Sequence, residues 1–186
     1  MKNLGKVFAA GLLLLAIGFS IVRGQSKIAD DDCSHTQGRL NIWTTQCVYR
    51  EDRTTAPKLL GVRVGKHHGF DRIVFEFKGR PTGYSVNYEK PPIEWYGDEV
   101  IKVHGKAFVK ISFYPLSASQ EQIEAYQSGA MVTPKQKIPN MPLIKEIKPL
   151  GWFEAEVAYI FGLNRRTPFR VQLLSNPDRL VVDFKH

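Results

Sequence analysis

The stretch Phe70 to Gly79, FDRIVFEFKG, alternates strictly: Ile73, Phe75 and Phe77 fall on one side of an extended chain, and Arg72, Val74, Glu76 and Lys78 on the other. Successive side chains of a pleated strand point to opposite faces, so this period of two fits a half-buried β-strand. The style recurs in LLGVRV (59–64), GYSVNYE (83–89), EVIKVHG (99–105), AFVKISFYP (107–115), LIKEIKPLG (143–151), WFEAEVAYIFGL (152–163), FRVQLLS (169–175) and RLVVDF (179–184), with glycine and proline between blocks. Only SASQEQIEAYQSG (117–129) reads as a helix, with Ile123 and Tyr126 three apart. The expected fold class is all-β: a two-sheet antiparallel β-sandwich of about nine strands with one short helix. A barrel is the other way to bury so many alternating faces. The connection from Pro115 to Pro142, with three prolines between Pro134 and Pro142, is expected to cross the surface from one sheet edge to another.

One strand is written twice. PDRLVVDFKH (177–186) repeats FDRIVFEFKG 107 positions later, with Arg179, Val181 and Asp183 at the outward places of Arg72, Val74 and Glu76. Equivalent sequences suggest equivalent places in two facing sheets, with Ile73, Phe75 and Phe77 opposed to Leu180, Val182 and Phe184 across the core. The outward Arg and acid then form solvent-exposed pairs worth about 0–1 kcal/mol, or Arg72 and Arg179 belong to a binding face.

The N-terminus has a separate logic. Lys2 and Lys6 precede an uncharged run of 16 residues from Val7 to Val22, and Val22-Arg23-Gly24 offers small residues at the spacing a signal peptidase reads. The run falls short of the roughly 20 residues of a membrane-spanning helix, so residues 1–24 are expected to be a cleaved secretory signal, with no stable membrane insertion afterwards. Cleavage leaves 162 residues, enough for one well-buried domain, and a net charge of +5 instead of +8. A modest positive field favours anionic glycans, lipid head groups or nucleic acid. Export makes pairing of Cys33 and Cys47 the default, closing a loop worth roughly 3 kcal/mol in the chain-entropy model. ADDDC lacks the small apolar residues of a lipid-attachment site, and Cys33 with His35 is too little for zinc. Residues 25–57 read as a polar, stapled extension with a linker at Thr54–Pro57, and the compact domain is expected over 58–186.

Catalytic signatures are sparse. The chain has no Gly-x-Ser-x-Gly elbow and no phosphate loop. His35, His67, His68, His104 and His186 show no metal-ligand spacing, so neither metal nor cofactor is expected. His68 with Asp71 fits a local hydrogen bond at a strand entry. Glu154 and Glu156, two apart on one strand face, are the one enzymatic candidate, a glycosidase-like pair, although two such acids are common on solvated faces. PPIEWYGDE holds Trp95 and Tyr96 in a Pro- and Gly-bounded turn. Exposed aromatic rings there suit sugar faces, with Glu94 or Asp98 accepting hydroxyl hydrogens; a Trp95 folded back over the sandwich is the alternative. Basic residues are scattered rather than gathered with aromatics, which argues against nucleic acid.

The ordered blocks KHHGFDRIVFEFKG, GYSVNYE, GKAFVKISFYP, GWFEAEVAYIFGL, PFRVQLL and PDRLVVDF resemble the AMIN-like domain, a relative of the AMIN domains of bacterial cell-envelope proteins, over Leu59 to Phe184. The resemblance implies a β-sandwich in an exported, non-catalytic protein that binds peptidoglycan, another wall glycan or an envelope protein. The turn EKPPIEWYGDE replaces the small, Gly-rich turn usual in that family, which makes any ligand preference this chain's own. A secreted hydrolase using Glu154 and Glu156, or a carrier whose many Phe residues line a small apolar ligand, are the rival expectations.

Overall fold

A computed structural model describes residues 33, 40–96, 100–128 and 140–186; the expected signal segment, 1–24, lies outside them. The described chain forms β1 (Val48–Arg50), β2 (Lys58–His67), β3 (Phe70–Lys78), β4 (Tyr84–Glu89), β5 (Ala107–Phe113), α1 (Gln120–Gln127), β6 (Ile144–Phe153), β7 (Glu156–Leu163), β8 (Phe169–Leu174) and β9 (Asp178–Lys185). Two antiparallel sheets result, ordered β1-β4-β5-β7-β6 and β2-β3-β9-β8. Their inner faces meet through aromatic rings: Phe75 lies 4.8 Å from Phe113, 5.3 Å from Tyr159 and 6.2 Å from Phe161, centroid to centroid. These Phe residues, expected as the lining of an apolar ligand site, pack against one another across the sheets.

The strand number matches the expectation, but two assignments change. Residues 100–105 of EVIKVHG form no strand of either sheet; they fold back across the outer face of the five-stranded sheet. Glycine makes that crossing possible, because a Cβ on Gly162 would fall 1.9 Å from the His104 carbonyl oxygen. The His104 N–H donates to Glu146 Oε2 at 2.5 Å instead of to a ladder partner, and the Ile101 N–H donates to the Ile93 carbonyl. In its place residues 48–50 of the extension supply β1, whose Val48 is buried opposite Val86. WFEAEVAYIFGL also divides: Glu154 and Ala155, at φ 44° and 66°, form the two-residue turn of a hairpin in which Phe153 pairs with Glu156.

The repeated strands do not face each other across the core, as expected, but lie side by side in one sheet. Antiparallel pairing sets Arg72 opposite Asp183, Val74 opposite Val181 and Glu76 opposite Arg179. The Arg-Val-acid pattern is thus complementary to its own reversed copy. Ile73, Phe75, Phe77, Leu180, Val182 and Phe184 all point to the same side, at 0–2% exposure. The outward charges are not all solvated either. Asp183 is fully buried and binds Arg72 through two bonds of 2.6 and 2.9 Å, Arg170 at 2.6 Å and Gln172 at 3.1 Å. Arg179, by contrast, makes a local bond to the Pro177 carbonyl, and Glu76 pairs with Arg63.

The extension is built into the sandwich. The N–H groups of Asn41 and Thr44 donate to Val171 and Phe169 on the edge of the four-stranded sheet, and Trp43 lies 4.7 Å over the Arg170 guanidinium. Four residues later the chain enters the other sheet as β1, so this segment clamps both sheets at one side. Cys33 and Cys47 are joined as expected, Cα to Cα 5.4 Å apart. The connection from β5 to β6 joins two strands of the five-stranded sheet, and its residues 129–139 lie outside the described ones. Its helix starts from a Ser119 cap reciprocated by Gln122, and buries Tyr126 flat against Trp152 at 5.5 Å.

Two stability predictions follow from this packing. Phe75→Ala should cost about 3–5 kcal/mol in chemical denaturation, the usual range for deleting a buried ring. Asp183→Ala should cost a similar ~3–5 kcal/mol by stranding two partly buried guanidinium groups, whereas Arg179→Ala should leave the midpoint unchanged.

Candidate functional site

The outer face of the five-stranded sheet carries a row of short side chains. Tyr49 pairs with Ser85, Ser85 with Ser112, Ser112 with Ala158, and Ala158 with Gly151, so the middle of that row is sunken. Larger groups rise around it, and the result is a cleft of about 390 Å³ lined by Tyr49, Tyr96, Tyr114 and Phe153 together with Glu51, Asp52, Arg53 and the hairpin carboxylates. That volume is at the lower end of the range typical of small-molecule sites.

The rim is held by specific contacts. Tyr96 stacks on Phe153 with centroids 3.8 Å apart, and its hydroxyl donates to Glu156 Oε2 at 2.9 Å. Although the Tyr96 ring is 55% exposed, desolvation of its hydroxyl end, then the bond to Glu156 and the charges of Glu156 and Glu154, push its pKa up to about 12. The phenol therefore remains a donor at any physiological pH. Trp95 takes a different course. It folds back half-buried onto the sheet, where a Cβ on Gly151 would approach its indole nitrogen to 3.3 Å, and it supports Tyr96 edge to face at 4.5 Å. On the opposite rim Arg53 sits 4.7 Å over the Tyr114 ring.

Backbone conformation singles out the same place. Five non-glycine residues among those described have positive φ, and the two outside the cleft, Asn41 and Asn176, are of the type that tolerates it. The other three are Tyr96 at 23°, Glu154 at 44° and Ala155 at 66°. Such conformations cost of order 1–3 kcal/mol each and persist where surrounding structure imposes them. Here the Leu116 N–H ties down the Ala155 carbonyl at 2.9 Å.

The structure brings together Tyr96, Glu154 and Glu156 of the sequence-derived candidates. Their two carboxylates share the cleft but not a strand face, since Glu154 belongs to the turn. Arg72 and Arg179 lie on the outer face of the other sheet, with Arg72 committed to Asp183. His68 is exposed in the turn between β2 and β3. Asp71 is buried: the bond expected from His68 is made by His186 at 2.9 Å, and its other oxygen accepts the Leu143 and Ile144 N–H groups. Asp71 is thus a tie between the sheets rather than a surface group. Asp98 lies outside the described residues. Tyr49, Arg53, Ser112, Tyr114 and Phe153 escaped the sequence reading; only Ser112, Tyr114 and Phe153 lay in expected strand blocks, and Tyr49 and Arg53 lay in the extension. No cluster of metal-ligating side chains occurs among the described residues.

No curated protein matches the chain in sequence. The family model of the AMIN-like domain matches residues 57–186, which takes in β2 to β9 and leaves out β1 and the Tyr49–Arg53 wall of the cleft. The chain belongs to the AMIN-like domain family.

Proposed function

We propose that this chain is an exported, non-catalytic domain of the bacterial cell envelope that binds a wall glycan, with peptidoglycan as the polymer, through the cleft of Tyr96 and Tyr114. The observation that carries the reading is the cleft itself. Tyr49, Tyr96, Tyr114 and Phe153 offer apolar plates, and carboxylates and two serines, Ser85 and Ser112, offer polar edges, the combination that suits a sugar ring. Family membership and the Cys33–Cys47 bond support an envelope setting. Among the described residues no helix is long and apolar enough to cross a membrane.

The cleft also houses Glu154 and Glu156, the pair that a hydrolase would use. In the binding reading they accept hydrogen bonds, and Glu156 is already engaged by the Tyr96 hydroxyl.

Export is checked by the intact mass of protein recovered outside the cytoplasm, which should lack residues 1–24. Mature protein should sediment with isolated peptidoglycan, and Tyr96→Ala should weaken that binding about tenfold, or ~1.4 kcal/mol, the scale of one lost ring contact. Arg179→Ala should bind normally. Loss of binding in Arg179→Ala but not in Tyr96→Ala would move the site to the other sheet, and reducing sugar released with time would make the two glutamates catalytic.

A further inference from the structure

Charge in the cleft runs against charge in the chain. The sequence is basic, at +8, yet four carboxylates and two guanidinium groups line the cleft. The two arginines are accounted for, since Arg50 pairs with Asp52 at 2.9 Å and Arg53 with Glu51 at 3.2 Å. Glu154 and Glu156 have no ion-pair partner among the described residues, and both act on the same point, the Tyr96 hydroxyl. Below them the floor has an open valence. Ser112 is 6% exposed, and its Oγ has no hydrogen-bond partner among the described residues. An unsatisfied buried hydroxyl is unfavourable, a cost that a bound polar group would remove.

We infer that the cleft recognises a sugar bearing a free primary ammonium: Glu154 and Glu156 hold the cation beside the Tyr96 and Tyr114 rings, and Ser112 Oγ bonds a ring hydroxyl. Both parts are needed. Two uncompensated carboxylates next to aromatic faces attract a cation through charge and ring quadrupole together. The aromatic plates and the buried hydroxyl select a polyhydroxylated ring to carry it. An anionic polymer, which the chain's overall charge would favour, meets repulsion here. This inference rests on the glycan-binding reading and narrows it to an amine-bearing unit.

Calorimetric titration of the mature protein with tetramers of glucosamine and of N-acetylglucosamine compares a charged amine with a capped one on the same skeleton. The amine tetramer should bind at least tenfold tighter, and added salt should weaken it, as expected of a solvent-exposed charge contact. Glu154→Gln with Glu156→Gln should abolish the preference while preserving the melting temperature. Ser112→Ala should weaken the amine tetramer several-fold without lowering the melting temperature, because the free protein has no bond there to lose. Equal affinities, or tighter binding of the acetylated tetramer, would overturn the ammonium inference and leave glycan binding standing. Binding of neither tetramer would also overturn it, and sedimentation with peptidoglycan would then decide the glycan reading independently.

Discussion

A carboxylate sealed from solvent, Asp183 of β9, is held by Arg72 of β3 on one side and by Arg170 and Gln172 of β8 on the other. A buried charge is tolerable only when hydrogen bonds and an opposite charge replace its water. That requirement fixes how β3, β8 and β9 lie relative to one another, because a register slip of one residue would turn Asp183 into the core and Val182 out of it. The duplicated strand meets this constraint economically: reversed against its own copy, each arginine faces the other strand's acid. With the register set, the same two strands present six apolar side chains to the opposite sheet. Asp71, at the entry of β3, then reaches across to the backbone at the start of β6.

The five-stranded sheet faces that fixed layer and is free to vary on its outer side. Short residues leave its centre low, the segment between β4 and β5 folds over one part of it, and a strained hairpin turn raises Glu154 beside it. One wall of the resulting cleft comes from residues 49–53, outside the family match. A framework inside the family match and a wall outside it would let ligand preference change while the core stays constant.

Much of the fold was legible because a two-sided burial requirement writes itself into the sequence as alternation. FDRIVFEFKG, FRVQLLS and RLVVDF all form strands close to their expected limits, and the disulfide agrees with what expected export and the cysteine number implied. Pairing partners were not legible in the same way. Self-resemblance between two strands says that they meet similar surroundings, and adjacent positions in one sheet satisfy that as well as opposed positions in two. EVIKVHG shows the complementary failure: it alternates because it lies against a sheet face, not because it belongs to a ladder. The site was legible only through Tyr96 and the two glutamates. Ser112, Ser85 and Tyr49 become neighbours through strand pairing, which no local pattern announces, and β1 is too short to announce itself at all.

The proposed wall-glycan site is tested most directly by where on this sandwich a glycan binds. Amide chemical shifts of isotopically labelled mature protein, followed as soluble peptidoglycan fragments are added, report that location directly. The largest changes should cluster at Tyr49, Ser85, Ser112 and the turn from Phe153 to Glu156, with Trp43, Arg170 and Asp183 unmoved. Changes concentrated instead around Trp43 and Arg170 on the four-stranded sheet, or no changes at saturating fragment, would contradict the proposed site.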